Sequence, residues 1–103
     1  MKYMVIEQFK DGGSAPVYER FQKQGRMLPE GLQYLDSWVE LKSGRCFQLM
    51  ETDDPKLFDK WIACWSDLVQ FEVIPVVTSA EAQTVETSKR RDESDFRFKD
   101  KKF

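Results

Sequence analysis

Short β-prone segments and helical segments alternate along this chain in an order that few folds can accommodate. The β-prone segments are YMVIEQF (3–9), GLQYLDSWVEL (31–41), RCFQLMET (45–52) and QFEVIPVVT (70–78). Apolar residues at helical spacing separate the first segment from the second and the third from the fourth. The order β-α-β-β-α-β predicts a ferredoxin-like α+β fold, with a four-stranded antiparallel sheet and two helices on one face.

Local signals predict where the first helix lies and where the second and third strands form a hairpin. Ser14 is a suitable N-cap, Pro16 suits a first helical turn, and Gly25 is expected to end this helix. KSGR (42–45) predicts a tight turn between the second and third strands. Pro75 cannot donate to a strand ladder, so the fourth strand is expected at an edge or at a bulge.

The second helix has the clearest start in the chain. In TDDP (52–55), Asp53 or Asp54 can accept from free backbone N–H groups, while Pro55 takes the first helical position. A wide apolar stripe then follows, made of Leu57, Phe58, Trp61, Ile62, Trp65 and Leu68. We expect this stripe to pack on the sheet, with Trp61 and Trp65 as core residues rather than ligand contacts.

The length and charge of the chain limit its organisation and its partners. A chain of 103 residues forms one domain of ordinary size with a modest core, which association with a second copy would help to stabilise. Residues 1–83 carry 9 Lys and Arg and 13 Asp and Glu, whereas residues 84–103 carry 7 and 5. We therefore predict a domain at 1–83 and a charged C-terminal extension at 84–103, either disordered or an arm that pairs with a neighbour.

Several classes of function are disfavoured by composition. The net charge of −2 gives no overall field for nucleic acid, and no apolar run approaches the length that spans a membrane. Two cysteines and a polar N-terminal stretch indicate a cytoplasmic protein with reduced thiols. The absence of histidine excludes the usual haem ligand, a Ser-His-Asp triad and most zinc sites. No cofactor is expected, and a metal site would have to be carboxylate-rich and hard, with Glu7, Asp36 and Glu72 as an example of its ligands.

The alternation of the second strand predicts how the two sheet faces differ. Apolar character assigns Leu35, Val39, Leu41, Phe47 and Leu49 to the face that meets the helices. The complementary set is then expected on the open face: Tyr34, Asp36, Trp38, Glu40, Cys46, Gln48, Met50 and Glu7. This set is too aromatic for a solvated face and too polar for a dry core, so we expect it to be shared between two copies in a symmetric homodimer.

Three stretches, YMVIEQFK, GRMLPEGLQYLDSWVEL and CFQLMETDDPKLFDKWIACWSDLVQFEVIPV, resemble a bacterial family known as domain of unknown function 3303, across about residues 1–80. That family has no assigned activity. Its resemblance to the dimeric α+β barrel superfamily implies a dimer. It also implies a function among cofactor-free monooxygenases, haem-degrading or haem-dependent enzymes, muconolactone isomerases and ligand-sensing domains.

Two interpretations of the open face remain. In the first, a small organic ligand lies in the barrel against Tyr34 and Trp38, with Gln48 as a further contact and Asp36 or Glu7 as the general base. The protein would then be a small-ligand-binding homodimer, with a cofactor-free monooxygenase or isomerase as its catalytic form. In the second, the same residues fill the interface of a non-catalytic dimerisation or interaction module. Arg26 is either an anion-binding arginine at the pocket mouth or an exposed cation at a helix end.

Overall fold

The computed structural model describes residues 1–11 and 13–89. Its elements, in the order βαββαβα, are β1 (Lys2–Phe9), α1 (Ala15–Gln24), β2 (Gln33–Glu40), β3 (Arg45–Glu51), α2 (Leu57–Ala63), β4 (Val69–Val76) and α3 (Ser79–Lys89). The four strands form an antiparallel sheet in the order β2-β3-β1-β4. The predicted α+β ferredoxin-like fold is therefore confirmed, and Pro75 lies on an edge strand as expected.

Helix α1 begins and ends where the sequence predicts. Ser14 occupies the N-cap position, although its hydroxyl makes no capping bond, and a proline lies in the first turn. Gly25 ends the helix with a φ of 69°, and its N–H donates to the carbonyl of Phe21 at 2.7 Å. A residue with a side chain would be strained in this left-handed conformation, so glycine suits the position.

Helix α2 is shorter than its apolar stripe. At its start, Oδ1 of Asp54 accepts from the N–H of Lys56 at 3.1 Å. The helix ends at Ala63, and the chain continues through turns in which Trp65 N–H donates to Ile62 and Leu68 N–H donates to Trp65, both at 2.9 Å. These tighter turns keep Trp65 in the core without a further α-helical turn.

The core lies between the helices and one face of the sheet. Its buried residues come from β1, α1, the loop before β2, β3, α2 with the turns after it, and β4: Val5, Val17, Leu32, Met50, Phe58, Trp61, Trp65 and Val69. Trp61 and Trp65 are 2% and 6% exposed, which confirms that they are core residues. Trp61 also meets Phe71 of β4 edge to face, with ring centroids 5.3 Å apart.

The face assignment predicted for β1 and β3 is wrong. Val5 and Met50 belong to the helix-side core, and residues directly opposite or two apart share a face. Glu7 pairs with Cys46 and Val5 pairs with Gln48, so Glu7, Cys46, Gln48 and Met50 all face the helices.

The more apolar residues Phe47 and Leu49 lie on the open face instead. Apolar character misled the prediction because two polar residues, Gln48 and Glu7, lie on the helix side and are joined there by a hydrogen bond from Gln48 to Glu7.

A β-bulge divides the predicted aromatic and acidic row of β2. The register shifts between Tyr34 and Asp36, which leaves Leu35 unpaired. Tyr34 therefore pairs with Met50 on the helix side, whereas Asp36 and Trp38 pair with Leu49 and Phe47 on the open side. The prediction of one shared face is wrong because one extra residue reverses the alternation.

The remaining apolar residues of segment 31–41 also lie in different environments. Val39 pairs with Cys46 on the helix side, as predicted, whereas Leu35 lies at the bulge and is 40% exposed. Leu41 follows the strand in a turn and is 90% exposed, so its predicted burial against the helices is wrong.

Helix α3 covers Ser79–Lys89 and so runs across residues 83 and 84, where the sequence places a boundary. Most of the predicted charged extension, from residue 90 onward, lies outside the described residues. No helix in the described part of the chain has the length and apolar character needed to cross a membrane.

Candidate functional site

A cavity of about 130 Å³ lies between α1, the α2 segment and the helix-facing side of the sheet. Most of its wall is aromatic or aliphatic, formed by Phe9, Val17, Tyr18, Phe21, Val39, Trp61, Trp65 and Val69. Its polar lining comes from Glu7, Arg26, Ser37, Cys46 and Gln48. A mainly apolar pocket with a few convergent polar groups is the usual form of a small-ligand site.

Glu7 is the most unusual group of this cavity. It is 6% exposed, and Nε2 of Gln48 donates to its Oε2. Burial raises the pKa of Glu7 to about 7, although the hydrogen bond from Gln48 and the positive charge of Arg26 both lower it. The carboxyl group therefore changes protonation state near neutral pH.

Two neighbours on β3 share the surroundings of Glu7. Gln48 is 7% exposed, and its Oε1 is buried with no hydrogen-bond partner among the described residues. Burial, followed by the charge of Glu7, raises the pKa of the Cys46 thiol to about 11, and Arg26 opposes this shift. Cys46 is therefore a protonated thiol at neutral pH and a poor nucleophile.

Arg26 is held in place by its backbone and its side chain. Its carbonyl oxygen accepts from the indole N–H groups of both Trp61 and Trp65, each at 3.0 Å. Its guanidinium lies 3.6 Å from the ring centroid of Tyr34 and 5.1 Å from that of Phe21. Within the described residues, this guanidinium donates no hydrogen bond and forms no ion pair.

The cavity brings together three of the six site residues predicted from the sequence. Glu7, Gln48 and Arg26 line the cavity. Tyr34, on β2, contacts the guanidinium of Arg26 through its ring. Asp36 and Trp38 lie on the opposite face of the sheet, so the prediction that they share a pocket with Glu7 is wrong.

Asp36 has a local partner on that opposite face. It is exposed, and its Oδ1 accepts from the N–H of Ser37 at 2.8 Å. The sheet also separates Glu7 from Asp36 and Glu72, so the three cannot ligate one metal. The described residues contain no cluster of three or more His, Cys, Asp or Glu that could hold a metal ion.

Sequence reasoning missed the helix-side walls of the cavity. Tyr18 and Phe21 lie on α1 and are 47% and 40% exposed, although both line the cavity. Large aromatic side chains that stay partly exposed on a helix are a signal for a pocket mouth, since a packed helix would bury them. The spacing of Trp61 and Trp65 predicted burial but not their common acceptor at Arg26.

Comparison with known families identifies the family of this chain but no activity. The family model described as Domain of unknown function (DUF3303) matches residues 1–90. The chain belongs to this family. Searches of curated proteins and of solved structures returned no significant match. The DUF3303 match covers every strand and helix described above, so the cavity lies wholly within the family's domain.

Proposed function

We propose that this DUF3303 protein binds a small organic ligand in the cavity between its helices and its sheet, with Glu7 as the acid–base group. The observation that carries the proposal is a buried carboxyl group that lines a cavity and whose hydrogen-bond partner among the described residues is a neutral amide. Burying such a group without a paired cation lowers the stability of the fold. A buried, poorly compensated carboxyl at a cavity is typical of a functional site.

The protonation behaviour of Glu7 suits proton transfer. With a pKa of about 7, the carboxyl is present in both its acidic and basic forms at neutral pH. A cofactor-free isomerase or monooxygenase requires its protein to remove a proton from a carbon or a hydroxyl group of the bound substrate. Gln48 would hold the Glu7 carboxylate in position through the hydrogen bond that it donates.

Native mass spectrometry of the protein purified under mild conditions tests this proposal. We expect a co-purified small molecule whose occupancy falls in Glu7→Gln. Glu72→Gln is the matched control, since Glu72 is an exposed carboxylate on the adjacent strand β4 and faces away from the cavity. A ligand that stays bound equally in both variants, or is lost equally from both, would contradict the role of Glu7.

We also propose that the open sheet face joins two copies in a homodimer. In the single chain this face presents half-buried Met4, Ile6, Phe47, Leu49 and Ile74, together with Trp38 at 51% exposure. Two ion pairs flank this face, one between Lys2 and Glu51 and one between Arg45 and Glu40. An apolar centre with charges of both signs at its ends suits an isologous pairing, and a second copy would enlarge the small core.

Analytical ultracentrifugation tests the dimer with Trp38→Glu. We expect this change to shift the protein to monomers, because it replaces a large exposed ring of the open face by a charge that the interface would bury. Leu41→Glu is the control, since Leu41 is exposed in a turn beyond the strand. A wild-type protein that is monomeric at every concentration would contradict the dimer.

A non-catalytic dimerisation module is the second candidate function. The observation that favours it is that the apolar residues of the open face lie on the other side of the sheet from the Glu7 cavity. The dimer therefore requires no ligand. A stable dimer that carries no small molecule and binds none would favour this function over the first.

Free cysteines support the cytoplasmic location that the sequence predicts. Cys46 is buried and Cys64 is half-buried, and neither forms a disulfide. Unpaired thiols are usual in a reducing compartment.

A further inference from the structure

We infer that the ligand of this cavity is a single-ring aromatic carboxylate that also carries a hydrogen-bond donor, such as a hydroxybenzoate. This inference rests on the proposed small-ligand function and names the class of ligand. Three independent features of the cavity lead to it: its size and aromatic wall, the guanidinium of Arg26, and the buried oxygen of Gln48.

The size and lining of the cavity favour one aromatic ring. Its volume of about 130 Å³ is close to that of engineered apolar cavities, roughly 150 Å³, that bind benzene. Aromatic side chains from both helical segments and β1 surround it, among them Phe9, Phe21, Trp61 and Trp65. Rings at several orientations can meet a bound ring by offset stacking or edge to face.

The guanidinium of Arg26 supplies the recognition of an anion. It is half-buried and positioned by Phe21 and Tyr34, yet no carboxylate of the described residues pairs with it. Two other arginines of the chain, Arg20 and Arg45, have carboxylate partners at 2.7 and 2.8 Å. A planar guanidinium with free donors beside an apolar cavity suits a bidentate contact with a ligand carboxylate.

The buried oxygen of Gln48 supplies the recognition of a donor. Nε2 of Gln48 is engaged by Glu7, while Oε1 is buried with no partner among the described residues. An unsatisfied buried acceptor costs free energy that a ligand O–H or N–H can recover. A phenolic hydroxyl that donates its proton here would lie beside the Glu7 carboxyl, and its oxygen would be free to accept a hydrogen bond from the protonated form of that carboxyl.

Isothermal titration calorimetry with five compounds tests the inference. The compounds are 2-, 3- and 4-hydroxybenzoate, benzoate, which lacks the donor, and phenol, which lacks the anion. We expect at least one hydroxybenzoate to bind about tenfold or more tightly than phenol, because charge-assisted hydrogen bonds are strong. It should bind roughly two- to tenfold more tightly than benzoate, through one neutral hydrogen bond.

Two variants and a control assign these preferences to residues. Arg26→Met should remove the preference over phenol and leave the fold intact, because the tryptophans bind the Arg26 carbonyl rather than its side chain. Gln48→Met should remove the preference over benzoate. Lys23→Met, which changes an exposed cation of α1, should leave both preferences as in the wild type.

The calorimetry results either support or overturn the proposed ligand class. Phenol binding as tightly as every hydroxybenzoate, or preferences unchanged in Arg26→Met, would overturn the ligand class while leaving the proposed ligand site intact. No binding of any of the five compounds would also overturn the ligand class. The proposed function would then be judged separately, by the mass of any co-purified molecule and its loss in Glu7→Gln.

Discussion

Glu7 is expected to make the stability of the fold decrease as the pH rises toward neutrality. Its pKa is raised by burial from an ordinary value of 4.5 to about 7 in the folded state. Below the unfolded pKa the carboxyl is protonated in both states and brings no penalty. Between pH 4.5 and about 7 the carboxyl is ionised in the unfolded chain but still protonated in the folded protein, so the stabilisation present at low pH is lost over this range.

The size of this effect follows from the shift in pKa. One pKa unit corresponds to about 1.36 kcal/mol, so the change from 4.5 to about 7 is equivalent to about 3 kcal/mol of unfolding free energy. Most of this loss should occur between about pH 4.5 and about pH 7. Other carboxylates act in the opposite direction, because hydrogen bonds from partners such as Arg20 and Ser43 lower the pKa values of Asp67 and Glu40.

Urea denaturation of Glu7→Gln beside the wild type isolates the contribution of Glu7. The opposing carboxylates are common to both proteins and cancel in the difference between them. We expect the variant to gain about 3 kcal/mol relative to the wild type between about pH 4.5 and about pH 7. Glu72→Gln is the control, since it removes a carboxylate that lies on the opposite face of the sheet from Glu7. Parallel stability curves for Glu7→Gln and the wild type would refute the reasoning.

Three further predictions follow from the same structure. Iodoacetamide at mildly alkaline pH should modify Cys64 well before Cys46, because Cys46 is 8% exposed with a pKa of about 11; equal rates by peptide mass spectrometry would contradict its burial. Trp61→Phe should destabilise the fold by about 1–3 kcal/mol in chemical denaturation, because it removes a buried ring and the hydrogen bond to Arg26; a change below about 0.5 kcal/mol would argue against that contact. Gly31→Ala should lower the unfolding free energy by about 1–2 kcal/mol. The φ of Gly31 is +97°, and a Cβ at this position would lie 2.9 Å from a methyl of Leu57, the first residue of α2. An unchanged thermal midpoint would contradict this strain.

The fold could be predicted from the sequence because its signals are local and agree with one another. Gly25 ends α1 by adopting a positive φ, and Pro75 keeps β4 at the sheet edge. The Asp54 carboxylate accepts from the N–H of Lys56, the N-cap residue of α2. Each of these effects depends on the residue's own backbone and its near neighbours, so no knowledge of tertiary contacts is needed.

The facing of the site residues depended on long-range partners and was predicted less well. An alternation of apolar and polar residues assigns Gln48 to the open face, but its buried hydrogen bond to Glu7 makes the helix side acceptable. The bulge at Leu35 separates Tyr34 from Asp36 and Trp38 by a single inserted residue. No periodicity in one strand reveals such a bulge, since it is defined by the register with the strand beside it.

The most direct test of the Glu7 cavity is a ¹³C NMR titration of the Glu7 side-chain carboxyl, with and without a bound hydroxybenzoate. We expect the free protein to titrate with a midpoint near pH 7, and we expect the Glu7 signal to move on ligand addition while that of Glu72 stays in place. A midpoint near the ordinary value of 4.5, with a Glu7 signal that does not respond to ligand, would contradict a buried carboxyl at a ligand-binding cavity.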